Sequence, residues 1–153
     1  LNITETLRLK PMETTDYKEA IPWYKNKKIL WYSENLSGGT YDLETITRMY
    51  DYLKTKGFVY IIELYRNTWH AIGDVTLSET CMPIVINEPY WGRGYGKRVI
   101  RYLLEYASTL QISVVKLSGI YLYNNRSIAL FKSCGFEETH RDDCKVYMRR
   151  KIR

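Results

Sequence analysis

The stretch from Met82 to Leu110 reads MPIVINEPYWGRGYGKRVIRYLLEYASTL and combines three local patterns. A short apolar run, Ile84-Val85-Ile86, suits a buried strand. Gly92-Arg93-Gly94-Tyr95-Gly96 follows, and its alternate glycines permit turns that are closed to other residues. Apolar residues then recur at helical spacing, at Val99, Ile100, Leu103, Leu104, Ala107 and Leu110. The stretch therefore predicts a strand, a glycine-rich turn and a helix in succession.

The glycine-rich turn has the features of an anion site. The first turn of a helix has backbone N–H groups without intrahelical partners, at the positive end of the helix dipole. Glycines let a ligand approach the main chain closely, and phosphate groups bind at such helix starts. Arg93, Lys97 and Arg98 add positive charge around the turn. The alternative interpretation is a tight surface turn with solvated basic residues.

Two common phosphate motifs do not fit this turn. A Walker loop requires a glycine five positions before Gly96, where Trp91 stands, and Ser or Thr after Lys97, where Arg98 stands. The dinucleotide pattern GxGxxG fails because Lys97 occupies the place of its third glycine. The turn instead resembles the coenzyme A pyrophosphate loop of the GNAT acyltransferases, Gln/Arg-x-x-Gly-x-Gly/Ala. Gly94 and Gly96 match that pattern, whereas Trp91 departs from it.

A second segment, residues 114–136, reads VVKLSGIYLYNNRSIALFKSCGF and is similar to the next part of the same family. It presents a strand, an Asn and a helix that ends in Gly135-Phe136. Asn124 and Ser127 fall at matching positions, and the Asn-x-x-Ser pattern is most similar to that of one branch of the family. That branch contains ribosomal-protein N-terminal acetyltransferases and aminoglycoside 6'-type acetyltransferases.

The resemblance implies an α/β fold with a mixed, mostly antiparallel central sheet, flanked by helices and with splayed central strands. It implies acetyl-coenzyme A as the acyl donor and no metal. The pantetheine arm is expected in the gap between the splayed strands. The residues implied in coenzyme A binding are Ile84, Val85, Ile86, Trp91, Gly92, Arg93, Gly94, Tyr95, Gly96, Lys97, Arg98, Asn124, Ser127 and Phe131.

Acyl transfer to an amine needs a base for the amine proton and a donor for the developing oxyanion. Asp74 and Glu79 are the candidate bases, ahead of Glu88, and a backbone N–H near Val85 is the candidate oxyanion donor. Many relatives place a tyrosine acid where this chain has Phe131. His70 and His140 have no motif partner and are interpreted as structural or solvated. Cys81 as an acyl-enzyme nucleophile is the disfavoured alternative, because no motif places a histidine beside it and the resemblance implies direct transfer.

Other segments predict a complete mixed fold. Strands are expected at 7–10, 58–65, 69–77, 114–122 and 145–150, with a hairpin turn at 66–68 and another turn at 141–144. Asp16, with Glu19 three residues later, is read as the N-cap of the first of two short helical pieces within 16–33. Asp42 is expected to cap a helix that ends at Gly57, and a helix is expected at 124–134. The central strand-helix-strand unit predicts a parallel neighbour in the sheet.

Composition sets the limits of interpretation. The 153 residues predict one domain, 1–153, with enough apolar sequence for a core. Three scattered cysteines, without CxxC spacing, indicate neither a disulfide framework nor a zinc site and favour a cytoplasmic setting. No apolar run is long enough to cross a membrane. The four early aromatics are interpreted as core by default, with an acceptor pocket as the alternative: Trp23, Tyr24, Trp31 and Tyr32.

Three functions follow from these patterns. The first is an N-acetyltransferase whose acceptor is a protein N-terminus, an aminoglycoside-like drug or a small amine metabolite. The second is a non-catalytic module that binds acyl-coenzyme A, motivated by Phe131 and the unsettled base. The third, a nucleic-acid binder, rests only on the net charge of +6 and lacks a recognised motif. We expect the first, with no nucleic-acid or membrane partner, and leave a homodimer open.

Overall fold

The computed structural model describes residues 1–152, which form eight strands, four α-helices and three short 3-10 helices. The 3-10 helices are Thr14–Ala20, Trp23–Lys25 and Glu88–Tyr90. The α-helices are α1 (Lys27–Glu34), α2 (Leu43–Lys56), α3 (Tyr95–Thr109) and α4 (Asn125–Ser133). The strands are β1 (Leu7–Pro11), β2 (Phe58–Arg66), β3 (Thr68–Leu77), β4 (Ile84–Ile86), β5 (Val114–Lys116), β6 (Ile120–Tyr121), β7 (Glu137–Arg141) and β8 (Lys145–Lys151).

The strands form two four-stranded sheets. The first has the order β1-β2-β3-β4, so β4 is an edge strand. In the second, β8 pairs with β5 and β6 on one side and with β7 on the other. All ladders within residues 1–152 are antiparallel. The expected α/β fold with a mostly antiparallel sheet is confirmed.

The central crossover separates the two sheets. The chain leaves β4, passes through α3 and returns as β5, which the sequence predicts to be a parallel neighbour. A parallel ladder does not form, because β4 and β5 belong to different sheets. The main chains of the two regions meet instead at Lys116 N, which donates to Glu79 O at 2.9 Å. The central strands are therefore splayed, and β4 keeps a free edge that faces α4 and the start of α3.

Two apolar clusters cover the first sheet. The larger contains the buried face of α3 (Val99, Ile100, Leu103, Leu104 and Ala107) together with residues of both sheets. The smaller lies on the opposite face of the first sheet, between β2 and the helical segments 14–34 and 43–56. Tyr17, Trp23, Tyr24 and Tyr50 are each at most 2% exposed in this cluster. Of the four early aromatics, Trp23 and Tyr24 are core, as expected by default, whereas Trp31 and Tyr32 are 39% and 38% exposed.

Local predictions are confirmed for one helix and need correction elsewhere. Asp42 Oδ1 accepts a bond from Thr45 N at 2.8 Å, and α2 ends at Gly57, as expected. The helical segment near Asp16 begins one turn earlier than predicted. Glu13 is the N-cap, and Asp16 Oδ2 accepts a bond from Glu13 N at 2.9 Å. The predicted strand 114–122 is two strands, β5 and β6, interrupted near Gly119, where φ is +115°.

None of the helices within residues 1–152 combines the length with the apolar character needed to span a bilayer.

Candidate active site

A cavity of about 430 Å³ opens where the two sheets separate. Four elements form its walls: β4, the turn that begins α3, the first half of α4 and one face of α1. Its lining is mainly apolar and consists of Ile29, Tyr32, Ser33, Ile84, Val85, Ile86, Tyr90, Trp91, Gly92, Gly94, Tyr95, Gly96, Lys97, Asn124, Arg126, Ser127 and Leu130. The two segments that carry the sequence resemblance therefore face each other across one space.

The start of α3 meets the cavity without a side-chain cap. Gly92 and Gly94 have φ values of +74° and +83°, in the left-handed region that favours glycine. Gly94 is the N-cap, and the first bond within the helix runs from Arg98 N to Gly94 O at 3.2 Å. The N–H groups of Tyr95, Gly96 and Lys97 precede that bond and have no intrahelical acceptor. The cavity wall thus carries main-chain donors and the positive end of a 15-residue helix.

The basic side chains around this turn differ in whether they line the cavity. Lys97 lines the cavity, whereas Arg93 and Arg98 are exposed and do not. Gly96 lies closer to the opposite wall, because a Cβ there would be 3.4 Å from Leu130 Cδ2 and 3.5 Å from Ile86 Cδ1. Of the predicted basic group, Lys97 is therefore placed to contact a ligand in the cavity.

Strand β4 presents its open edge to the same space. Asn87 N donates to Ile72 O at 2.7 Å, and Thr76 N donates to Pro83 O at 3.0 Å. Asp74 and Val85 pair midway between these contacts. Hydrogen-bonded pairs recur at every second position of an antiparallel ladder, so the N–H of Val85 points toward β3. The outward N–H groups belong to Ile84 and Ile86.

The N–H of Val85, the expected oxyanion donor, therefore faces Asp74 in β3 and not the open edge of β4. The available donors on β4 are one residue away on either side. The carbonyl group of Ile86 also points to the open edge, where it accepts a hydrogen bond from the indole Nε1 of Trp91. Trp91 is thereby fixed to β4 at the entrance of the glycine-rich turn.

Helix α1 supplies a wall that the coenzyme A motifs do not assign, although the early aromatics, Tyr32 among them, have a pocket as their alternative interpretation. Ile29, Tyr32 and Ser33 line the cavity. The amide of Asn124 joins this wall to α4: its Oδ1 accepts from Ser127 N at 3.2 Å, and its Nδ2 donates to the carbonyl of Tyr32 at 3.3 Å. Asn124 is thus the N-cap of α4 and also the link between α1 and α4. Ser127, the other polar residue of the Asn-x-x-Ser pattern, lines the cavity beside it.

Asp74 lies on the other side of β4 from the open edge. Its carboxylate is buried, with the residue 3% exposed, and accepts hydrogen bonds from Tyr24 Oη at 2.9 Å and Tyr50 Oη at 2.6 Å. Burial raises the pKa of Asp74 to about 6, although the two hydroxyl donors act to lower it. The nearby charge of Glu34 contributes a further increase in this pKa. Asp74 therefore titrates close to neutral pH beside Val85, a cavity-wall residue.

The other candidate bases are placed differently. Glu79 is exposed in the connection between β3 and β4 and does not line the cavity. Glu88 accepts bonds from Asn26 Nδ2 at 2.8 Å and Lys28 Nζ at 2.7 Å, and these contacts hold its pKa below its usual range. Such a carboxylate is a weaker proton acceptor than Asp74 near neutral pH.

Phe131, which the resemblance places in the coenzyme A site, does not line the cavity. It is 4% exposed and packs edge-to-face on Phe136, with ring centroids 5.2 Å apart. Ser127 and Leu130 are three residues apart on α4 and present one face to the cavity, whereas Phe131 is turned toward the core. Leu130 is the cavity residue of this helical turn.

The remaining reactive side chains lie outside the cavity. Cys81 is buried, with its sulfur 3.2 Å from Ser78 Oγ, and both histidines are exposed. His70 Nε2 contacts the carbonyl of Arg66, and His140 stacks on Tyr147. Within residues 1–152, no group of three His, Cys, Asp or Glu side chains is arranged to hold a metal ion.

Comparisons with known proteins identify the domain family and the fold. The sequence model of the acetyltransferase (GNAT) domain matches residues 6–137. A comparison with curated proteins finds no significant match. A domain from Methanocaldococcus jannaschii DSM 2661 superposes with a TM-score of 0.81 at 20% identity, covering 95% of this chain and 98% of that one.

Two further solved structures have named activities. Spermidine N-acetyltransferase from Vibrio cholerae, in complex with coenzyme A and spermine, gives a TM-score of 0.78 at 18% identity, covering 97% of this chain and 96% of that one. A ribosomal L7/L12 alpha-N-protein acetyltransferase in complex with coenzyme A gives 0.78 at 14% identity, covering 99% and 97%. At these identities the superpositions show the fold. The domain match spans most of the chain, and the protein belongs to the GNAT family of acetyltransferases.

Proposed function

We propose that this protein transfers the acetyl group of acetyl-coenzyme A directly to a primary amine. One observation carries the proposal: a single cavity is bounded by the uncapped start of α3 and by the open edge of β4. The start of α3 suits a diphosphate, and the open edge of β4 suits an extended, amide-containing arm that forms hydrogen bonds with a strand edge.

The cavity residues fit coenzyme A in charge and in shape. The space around Gly92 and Gly94 is open to a ligand. A Cβ built at either position would have no heavy atom within 4 Å. Lys97 and the first N–H groups of α3 supply positive potential there. Farther along, Ile29, Ile84 and Leu130 form apolar walls for the pantetheine arm.

Catalysis is assigned to groups on both sides of β4. Bound acetyl-coenzyme A supplies a thioester, whose carbon–sulfur bond breaks as the amine nitrogen bonds to the acetyl carbon, and coenzyme A leaves as the thiolate. We assign Asp74 as the final acceptor of the amine proton, because its pKa of about 6 leaves it ionised at neutral pH and basic enough to take a proton. Asp74 does not line the cavity, so the proton would reach it through a relay that includes the hydroxyl of Tyr24 or Tyr50. We assign the outward N–H of Ile86 or Ile84 as the donor to the carbonyl oxygen.

The acceptor amine is proposed only as a class. The similar structures include enzymes named for spermidine, for aminoglycosides and for a ribosomal-protein N-terminus. These names define a test panel. Asp74 and Glu34 lie close enough for the charge of Glu34 to affect the pKa of Asp74, and such a pair of carboxylates would attract a cationic amine.

The test is thiol release from acetyl-coenzyme A in the presence of spermidine, aminoglycosides and short peptides with free N-termini. We expect release with at least one amine, at a rate well above that without protein. Asp74→Asn should reduce the rate and leave coenzyme A affinity largely intact, because Asp74 does not line the cavity. Tight binding of acetyl-coenzyme A by calorimetry, without thiol release from any amine, would support the alternative of a non-catalytic module that binds acyl-coenzyme A.

A further inference from the structure

Arg126 lines the cavity from α4, on a different wall from the start of α3. It lies in the first turn of α4, two residues after the N-cap Asn124, and lines the cavity together with Trp91. Its guanidinium carbon is 4.3 Å from the centroid of the Trp91 ring. Because Trp91 is itself bonded to Ile86 O in β4, the stacking contact holds the guanidinium over a fixed support.

The charge of Arg126 has no carboxylate partner within residues 1–152. It is absent from the ion pairs of the described residues, and it donates no hydrogen bond among them. Glu88 is near enough for Arg126 to lower the pKa of Glu88, but that carboxylate is already bonded to Asn26 and Lys28. An indole face attracts a guanidinium without supplying an oxygen acceptor, so its N–H donors remain available to an anion.

We propose that Arg126 binds the diphosphate of coenzyme A from the α4 side, with Trp91 as the positioning residue that holds the guanidinium in place. The inference rests on the proposed function, and it adds a cation that lies outside the glycine-rich turn. The diphosphate would then lie between the N–H groups of α3 and the planar guanidinium, which suits bidentate contact with phosphate oxygens. Trp91, the residue that departs from the family pattern, thereby acquires a role in binding.

The experiment measures dissociation constants for coenzyme A, 3'-dephospho-coenzyme A and pantetheine by calorimetry or displacement. Arg126→Gln should weaken both nucleotide ligands by roughly tenfold and leave pantetheine unchanged, because only the nucleotide ligands contain the diphosphate. Arg101→Gln is the matched control: Arg101 is exposed on α3 and does not line the cavity. It should bind all three ligands like the wild-type protein.

Supporting measurements separate position from charge. Arg126→Lys keeps the charge but loses the planar fork, so its affinity should lie between those of the wild-type and Gln proteins. Trp91→Leu removes the support, so Arg126→Gln should cost less in that background than in the wild-type protein. This non-additivity would not arise if Arg126 acted as an independent surface charge. Arg126→Lys also serves as the folded variant if Arg126→Gln is unstable.

Each outcome has a separate meaning. Wild-type protein that fails to bind coenzyme A would overturn the proposed function itself. Wild-type binding with unchanged affinity in both Arg126 variants would overturn the role of Arg126 alone. A loss for coenzyme A without a loss for the 3'-dephospho ligand would place Arg126 at the 3'-phosphate and overturn the diphosphate assignment.

Discussion

Asp74 and Val85 face each other across the ladder between β3 and β4, and their side chains lie on the same side of the sheet. Val85 in β4 lines the cavity, and its partner in β3, Asp74, carries a buried carboxylate. The carboxylate of Asp74 lies one strand away from the open edge, and two tyrosine hydroxyls from distant segments donate hydrogen bonds to it.

The first prediction concerns the pH dependence of turnover. Since Asp74 must be ionised to accept a proton, kcat/KM should fall on the acidic side with an apparent pKa of about 6. The hydrogen bond from Tyr50 lowers the pKa of Asp74, so Tyr50→Phe should move that limb to higher pH. The measurement is a pH–rate profile at saturating acetyl-coenzyme A.

Tyr17→Phe is the matched control for this shift. Tyr17 packs on Tyr50, but its hydroxyl donates to Asp51 and not to Asp74. The acidic limb should stay in place in this variant. A limb that moves equally in both variants would assign the effect to packing and remove the support for Asp74 as the base.

The second prediction concerns stability. The pKa of Asp74 rises from 3.8 to about 6 on folding, so the folded state retains its proton over a range where the unfolded chain has released it. This contribution is present below pH 4 and is lost as the pH rises through about 6. Relative to Asp74→Asn, the wild-type protein should lose roughly 3 kcal/mol of unfolding free energy across that window. Denaturant titrations at several pH values measure it; a constant difference between the two proteins contradicts the pKa shift.

The third prediction tests the glycine-rich turn. Gly94→Asp introduces a side chain at a φ of +83° and a negative charge at the start of α3, so coenzyme A affinity should fall by roughly a hundredfold. Gly39→Asp is the matched control, because Gly39 has a φ of +77° with open space around it and lies outside the cavity. Calorimetry on both folded variants is the measurement, and equal affinities would place the diphosphate elsewhere.

The fourth prediction uses two neighbouring cations. Lys97 lines the cavity and Arg98 does not. Lys97→Glu should therefore weaken coenzyme A much more than it weakens pantetheine, whereas Arg98→Glu should have a smaller effect that disappears at high salt. Binding titrations at two ionic strengths distinguish them. Similar, salt-sensitive losses in both variants would mean that Lys97 acts only through the general field of the surface.

The fifth prediction concerns the residue at the usual tyrosine position. Phe131→Tyr must bury a hydroxyl in the core beside Phe136, which should lower the unfolding free energy by about 1–3 kcal/mol. Turnover should persist, because Phe131 does not line the cavity. Phe58→Tyr, at a position that is 49% exposed, should leave stability nearly unchanged. Restored turnover in Phe131→Tyr from an inactive wild-type protein would instead identify the wild type as a binding module that lacks its acid.

Short-range patterns were sufficient for much of the fold. The glycines at 92, 94 and 96, the apolar spacing of α3 and the caps at Asp42 and Asn124 are all decided by contacts within a few residues. Their backbone conformations follow from local sterics and unpaired N–H groups, so the sequence alone predicted the strand, turn and helix that build the cavity.

Tertiary structure decided which groups meet. Asp74 receives hydroxyls from Tyr24 and Tyr50, which are 50 and 24 residues away in sequence, and no local spacing encodes that meeting. Strand register decided that Ile84 and Ile86, rather than Val85, present their N–H groups outward, because a shift of one residue reverses every such direction. Helix packing likewise turned Phe131 into the core and placed Arg126 over Trp91. These arrangements depend on how helices and strands pack against one another. A local sequence pattern predicts the individual helices and strands but not their packing.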